Sequence, residues 1–69
     1  MILRIKISEL MGKHKMSQQE LSRRTGIRAA TISLLYHEKA KRIEVTHIVK
    51  LCEVLQCQPS DLLELTEES

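Results

Sequence analysis

The stretch Ser17-Gln18-Gln19-Glu20, followed by a lone Gly26, constrains this chain more than any other feature. A serine three residues ahead of a glutamate predicts a capping box. The serine hydroxyl accepts from the Glu20 N–H, the Glu20 carboxylate returns to the Ser17 N–H, and Met16 ahead of them acts as a hydrophobic staple. The helix so begun must stop near Arg24 or Thr25, because Gly26 can take the left-handed conformation that ends a helix in a tight turn. After Ile27 a further helix carries Ile32, Leu35 and Tyr36 inward and runs to about His37. Two short helices are thus joined by a three-residue turn. Ser22 is small where they must approach closely, and Leu21, Ile27, Ile32 and Leu35 supply the core that sets their crossing angle.

The flanking segments also read as short helices. Ile7, Leu10, Met11 and His14 repeat at i, i+3, i+4 and i+7, with Ser8 as a candidate cap and Gly12 as a costly interior residue. Ile48, Leu51, Cys52 and Leu55 give the clearest helical face, and Pro59 suits the first turn of a final helix containing Asp61, Leu62 and Leu63. The opening residues instead alternate, Leu3, Ile5 and Ile7 against Ile2, Arg4 and Lys6, which is the period of a short strand. A strand cannot satisfy its own backbone, so it needs a partner: Arg42-Ile43-Glu44-Val45, or the same strand of a second copy. The tail, 66–69, is expected to fray.

Composition narrows the function. The 69 residues make one domain, 1–69, whose small core favours oligomerisation. The formal charge is only +2, but residues 1–42 hold ten cations against three anions, a net of +7, and 43–69 hold one against six, a net of −5. Such a split predicts one half that meets a polyanion and another that faces solvent or a protein. No apolar run suits a leader or a membrane span, so a soluble, cytoplasmic protein with no membrane partner is expected. Cys52 and Cys57 read as small core residues, and His14, His37 and His47 lack ligand spacing, so neither metal nor cofactor is expected. Tyr36 is the sole aromatic residue, too few for a base-stacking platform.

The combination of Ser17-Gln18-x-Glu20-Leu21, Gly26, Ile32 and Lys39 with Leu51, Leu55, Asp61 and Leu62 resembles the Cro/CI-type helix-turn-helix family, also called phage-repressor-like or XRE. The resemblance runs from about Ser8 to Leu63 and implies an all-α, five-helix lambda-repressor-like DNA-binding domain, here with a short N-terminal strand, its helix-turn-helix unit at about 17–37. It implies that Arg28, Ala29, Ala30, Ser33 and Leu34 read base edges from a recognition helix at about 28–36, and that Gln18, His37, Lys39, Lys41 and Arg42 contact phosphates. Four positions depart from the family pattern. Arg28 replaces a frequent capping Thr or Ser, Ala29 and Ala30 replace polar readers, and Lys15 replaces a frequent Gly. Arg28 is left as the one obvious bidentate guanine reader, with the alanines and Leu34 able to touch thymine methyls.

Each residue also has a plainer role: Arg28 as a solubilising charge, 39–42 as an exposed loop, Ser17 and Glu20 as a cap, Tyr36 as core edge, Leu34 as an ordinary exposed leucine. DNA binding is preferred because Gln18, Arg28 and the basic loop are expected to share one face. The leading expectation is a sequence-specific transcriptional regulator, most simply a repressor, binding double-stranded DNA as a homodimer without a small-molecule effector. The alternative is a protein-interaction module, such as an antitoxin or accessory subunit, using the acidic C-terminal half. No nucleophile, base and orienting group assemble into a catalytic set, so an enzyme is not expected. The dimer surface is expected at the N-terminal strand or at 56–65.

Overall fold

The computed structural model describes residues 1–67. In order, its elements are β1 (Ile2–Ile5), α1 (Ile7–Lys13), α2 (Gln18–Thr25), α3 (Ala29–Tyr36), α4 (Val45–Leu55), α5 (Pro59–Leu62) and β2 (Leu63–Thr66). The expected mostly helical fold with five helices is present, together with the N-terminal strand. Ile7, Leu21, Ile32, Leu35, Leu51, Leu55 and Leu62 are fully enclosed, and Ile5, Met11 and Ile27 join them, so one core draws on every helix and on β1.

The strand's partner is not the one expected. β1 pairs antiparallel with β2, placing Ile2 opposite Thr66, Leu3 opposite Leu65, Arg4 opposite Glu64 and Ile5 opposite Leu63. Residues 42–44 instead form the approach to α4, and Val45 is its first residue. The alternation in Leu63-Glu64-Leu65-Thr66 explains the choice: Leu63 and Leu65 fall on the same face as Ile5 and Leu3, while Glu64 meets Arg4 on the other. Leu63 therefore leaves the final helix, which ends at Leu62. Thr66 lies in β2 rather than in a frayed tail, and the rest of that expectation, for 68–69, lies outside the described residues.

The ladder runs straight into α1. Lys6 N–H donates to the Leu62 carbonyl at 2.7 Å, and Lys6 then occupies the cap position of α1, with no side-chain capping bond. Ser8 is thus inside the first turn and not the cap. Ile7 and Met11 are buried and Leu10 is half-buried, but His14, beyond the last turn, is exposed and drops off the expected apolar face.

The start of α2 follows the sequence in part. Glu20 N–H donates to Ser17 Oγ at 3.1 Å. The returning half of the capping box is absent, because the Glu20 carboxylate accepts from Arg23 Nη2 and Arg24 Nε, each at 2.6 Å. Two cations one turn along outcompete a single N–H for that carboxylate. Gly26 ends the helix at φ 78°, its N–H donating to the Ser22 carbonyl at 2.9 Å. Buried Thr25 completes the turn: its Oγ1 donates to the Leu21 carbonyl at 2.7 Å and accepts from Ile27 N–H at 3.2 Å. Ser22 does more than stay small, since its hydroxyl donates to the Ile27 carbonyl across the turn. These bonds fix the angle at which α3 leaves α2.

A candidate nucleic-acid interface

The sequence of α3, AATISLLY, faces two ways. Ile32 and Leu35 point into the core, and Ala29, Ala30 and Leu34 are exposed, with Ser33 half-buried between them. Positions 29, 30, 33, 34 and 37 recur at three- and four-residue steps, so they form one outward stripe that ends at His37. Arg28 stands just ahead, at the cap position (φ −57°, ψ 144°), with no side-chain capping bond. Its guanidinium is therefore not engaged by the helix it precedes. Ala29 and Ala30 next to it leave the first turn low and unobstructed.

Beside α3 run two adjoining hollows of about 250 and 340 Å³ that share Thr31, Glu44 and His47. Arg28 lines one of them; Leu34, Lys41 and Arg42 line the other. The structure thus gathers four expected DNA contacts along one groove between α3 and the start of α4. Ala29, Ala30, Ser33, His37 and Lys39 are not on its walls. His37 caps α3 and packs edge-on against Tyr36, with ring centroids 5.1 Å apart. Lys39 is exposed, its N–H tied to the Leu34 carbonyl at 2.8 Å. Gln18 opens α2, half-buried, and does not line the groove. A further hollow, about 480 Å³, lies where the end of α1, α2 and the end of α4 meet, is lined by His14, Met16, Glu20 and Val54 among others, and contains none of the expected contacts.

Ion pairing separates the cations of this chain. Arg4 is bound to Glu38, Lys6 to Glu64, and Arg23 and Arg24 to Glu20. Among the described residues, Lys13, Lys15, Arg28, Lys39, Lys41, Arg42 and Lys50 have no such partner and are exposed, and four of these, Arg28, Lys39, Lys41 and Arg42, flank α3. The sequence placed none of Thr31, Glu44 and His47 at this interface. His47 Nε2 lies 4.0 Å from Glu44 Oε2 on the groove wall. Their i, i+3 spacing could have suggested that pair, but its place opposite α3 depends on tertiary packing.

A short helix, a Gly-centred turn and a second helix with an open outer stripe, set in a five-helix frame, define a helix-turn-helix protein. Residues 6–68 match the family of Cro/C1-type HTH DNA-binding domains, and the chain belongs to that family. It is similar to YozG, an uncharacterized HTH-type transcriptional regulator of Bacillus subtilis (strain 168), with 44% identity over 64 residues covering 93% of this chain and 76% of the relative. Its fold is shared with the crystal structure of a "putative DNA-binding protein" from Bacteroides fragilis, at a TM-score of 0.80 and 21% identity over 91% of this chain and all of the other. The family is one of DNA-binding domains, and the Bacillus relative is named as a transcriptional regulator. Among the described residues no helix is long and apolar enough to cross a membrane.

Proposed function

We propose that this chain, as a single domain over 1–69, is a cytoplasmic, sequence-specific repressor that binds double-stranded DNA as a homodimer, with α3 in the major groove. The observation that carries this reading is the placing of three cations without an ion-pair partner among the described residues, Arg28, Lys41 and Arg42, along one groove beside the open face of α3. Arg28, Ala29, Ala30, Ser33 and Leu34 meet base edges in a groove about 12 Å wide. Gln18, His37, Lys39, Lys41 and Arg42 meet phosphates on its flanks. Two copies placing their α3 helices about 34 Å apart would read a palindromic site and block polymerase by occupancy. Dimerisation is supported by Leu3 and Leu65, opposite each other on one sheet face and 50% and 60% exposed. They belong to the two segments expected to carry the dimer surface, which the fold joins into one sheet.

Selection of bound sites from random duplexes, followed by affinity measured across a salt series, tests the reading. Lys41→Ala should weaken all sequences alike and make the log–log salt slope shallower by about one, whereas Arg28→Ala should flatten preference at one base pair by about 1–3 kcal/mol. If no motif is enriched and neither substitution alters duplex binding, the interface is misplaced and a protein-interaction role takes over.

A further inference from the structure

Glu38 is an unusual residue to find directly behind a DNA-reading helix. It follows the capping residue of α3 in the left-handed region, φ 56°, where a side chain is strained. Its N–H donates to the Leu35 carbonyl at 3.1 Å, closing the end of the helix. Its carboxylate reaches across to β1. Arg4 donates to it through Nε at 2.8 Å and Nη2 at 3.0 Å, and Ile5 N–H donates to Oε1 at 3.1 Å. Three donors from one strand converge on one carboxylate, and the chain leaving it is the basic loop Lys39–Arg42. Arg4 and the Ile5 N–H also hold the Glu38 carboxyl below the ordinary carboxylate range.

We infer that Arg4 and Glu38 are positioning residues for DNA binding: β1 grips the turn behind α3 and so fixes the start of the loop that carries Lys39, Lys41 and Arg42. The inference rests on the DNA-binding reading above. A free loop would lose conformational freedom each time its lysines met phosphates, and ordering it beforehand removes that cost from binding. Long-range electrostatics points the other way, since a carboxylate beside this loop repels a polyanion. The two effects therefore predict opposite signs for the loss of Glu38.

The test measures affinity for a mixed-sequence duplex across a salt series, at a temperature where circular dichroism shows every variant folded. Glu38→Asn tolerates the left-handed backbone, is too short to reach Arg4 and removes a negative charge. Positioning predicts that it binds several-fold more weakly, with a slope shallower by about 0.9, the loss of one phosphate contact. The charge-reversed pair, Arg4→Glu with Glu38→Arg, should recover part of the affinity at unchanged net charge. Tighter or unchanged binding by Glu38→Asn, or no recovery in the reversed pair, overturns the inference while leaving the DNA reading intact. Absence of salt-dependent binding by the unaltered protein overturns both. Should Glu38→Asn not fold, Glu38→Gln keeps an acceptor for the Ile5 N–H and carries the same test of sign.

Discussion

Gly26→Ala isolates the cost of a backbone conformation from the cost of a collision. Gly26 sits at φ 78°, and a Cβ built on it would meet nothing within 4 Å. The added methyl therefore brings no clash, and only the left-handed penalty of roughly 1–2 kcal/mol remains. The unfolded chain also becomes less free, which returns about 0.4–1 kcal/mol to the folded state. The net loss should be on the order of 1 kcal/mol, a fall of about 4–8 °C in Tm for a domain of this size. Lys15 provides the reverse experiment. It holds φ 53° with a full side chain, so Lys15→Gly should gain on the order of 1 kcal/mol by the same arithmetic with its signs exchanged. Both are read by urea and thermal melts at one fixed protein concentration, because association would shift the apparent stability. A loss above about 3 kcal/mol for Gly26→Ala would show that the turn has no open space, and no loss would show that it does not require the left-handed state.

Gly12→Ala should stabilise α1 by about 0.5–1 kcal/mol, seen as a raised urea midpoint with an unchanged m-value, because this helical glycine has open space where a methyl would go. Acid should weaken the protein through Glu20 and Glu38. Each has a folded pKa lowered by its arginine partners, so the stabilisation is full above the ordinary carboxylate range and is lost as pH falls through the lowered values. Glu20→Gln should flatten the acid limb of Tm against pH, and added salt should shrink the difference, since these pairs are exposed. Burial, with Cys52 as a close neighbour, pushes the Cys57 thiol up to about 11. Alkylation near neutral pH should consequently be slower in the folded protein than in urea, and equal rates would contradict this packing.

Whatever is encoded locally was legible in the sequence. Ser17, Gly26 and the periodic face of Ile48, Leu51 and Leu55 act on their own neighbours within a turn or two, so the bounds of α2 and the presence of α4 follow from them, whereas the start of α4 at Val45 does not. The partner of β1 was missed because Leu62 and Leu63 extend the pattern begun at Pro59, whereas the alternation of 63–66 matters only once Leu3 and Ile5 are alongside. The Glu20 side chain was misassigned for a competitive reason, two arginines against one N–H. At the candidate site, both the open stripe of α3 and the gathering of Arg28 with Lys41 and Arg42 depended on the family resemblance. Nothing in the sequence joins Arg4 to Glu38 across 34 positions, since that contact exists only after β1 has found β2.

The sheet that pairs Ile2 with Thr66 also sets an order of events. The α2–turn–α3 unit is made of neighbours in sequence and needs α4 behind it to cover Leu21, Ile32 and Leu35. The clasp between β1 and β2 must wait until residue 66 is free, and closing so long a loop is entropically the last step to be repaid. If β1 does order the basic loop, a nascent or C-terminally clipped chain would present its recognition helix before its phosphate grip. Competence for DNA would then arrive with β2, so that a strand far along the sequence licenses the work of the helices before it.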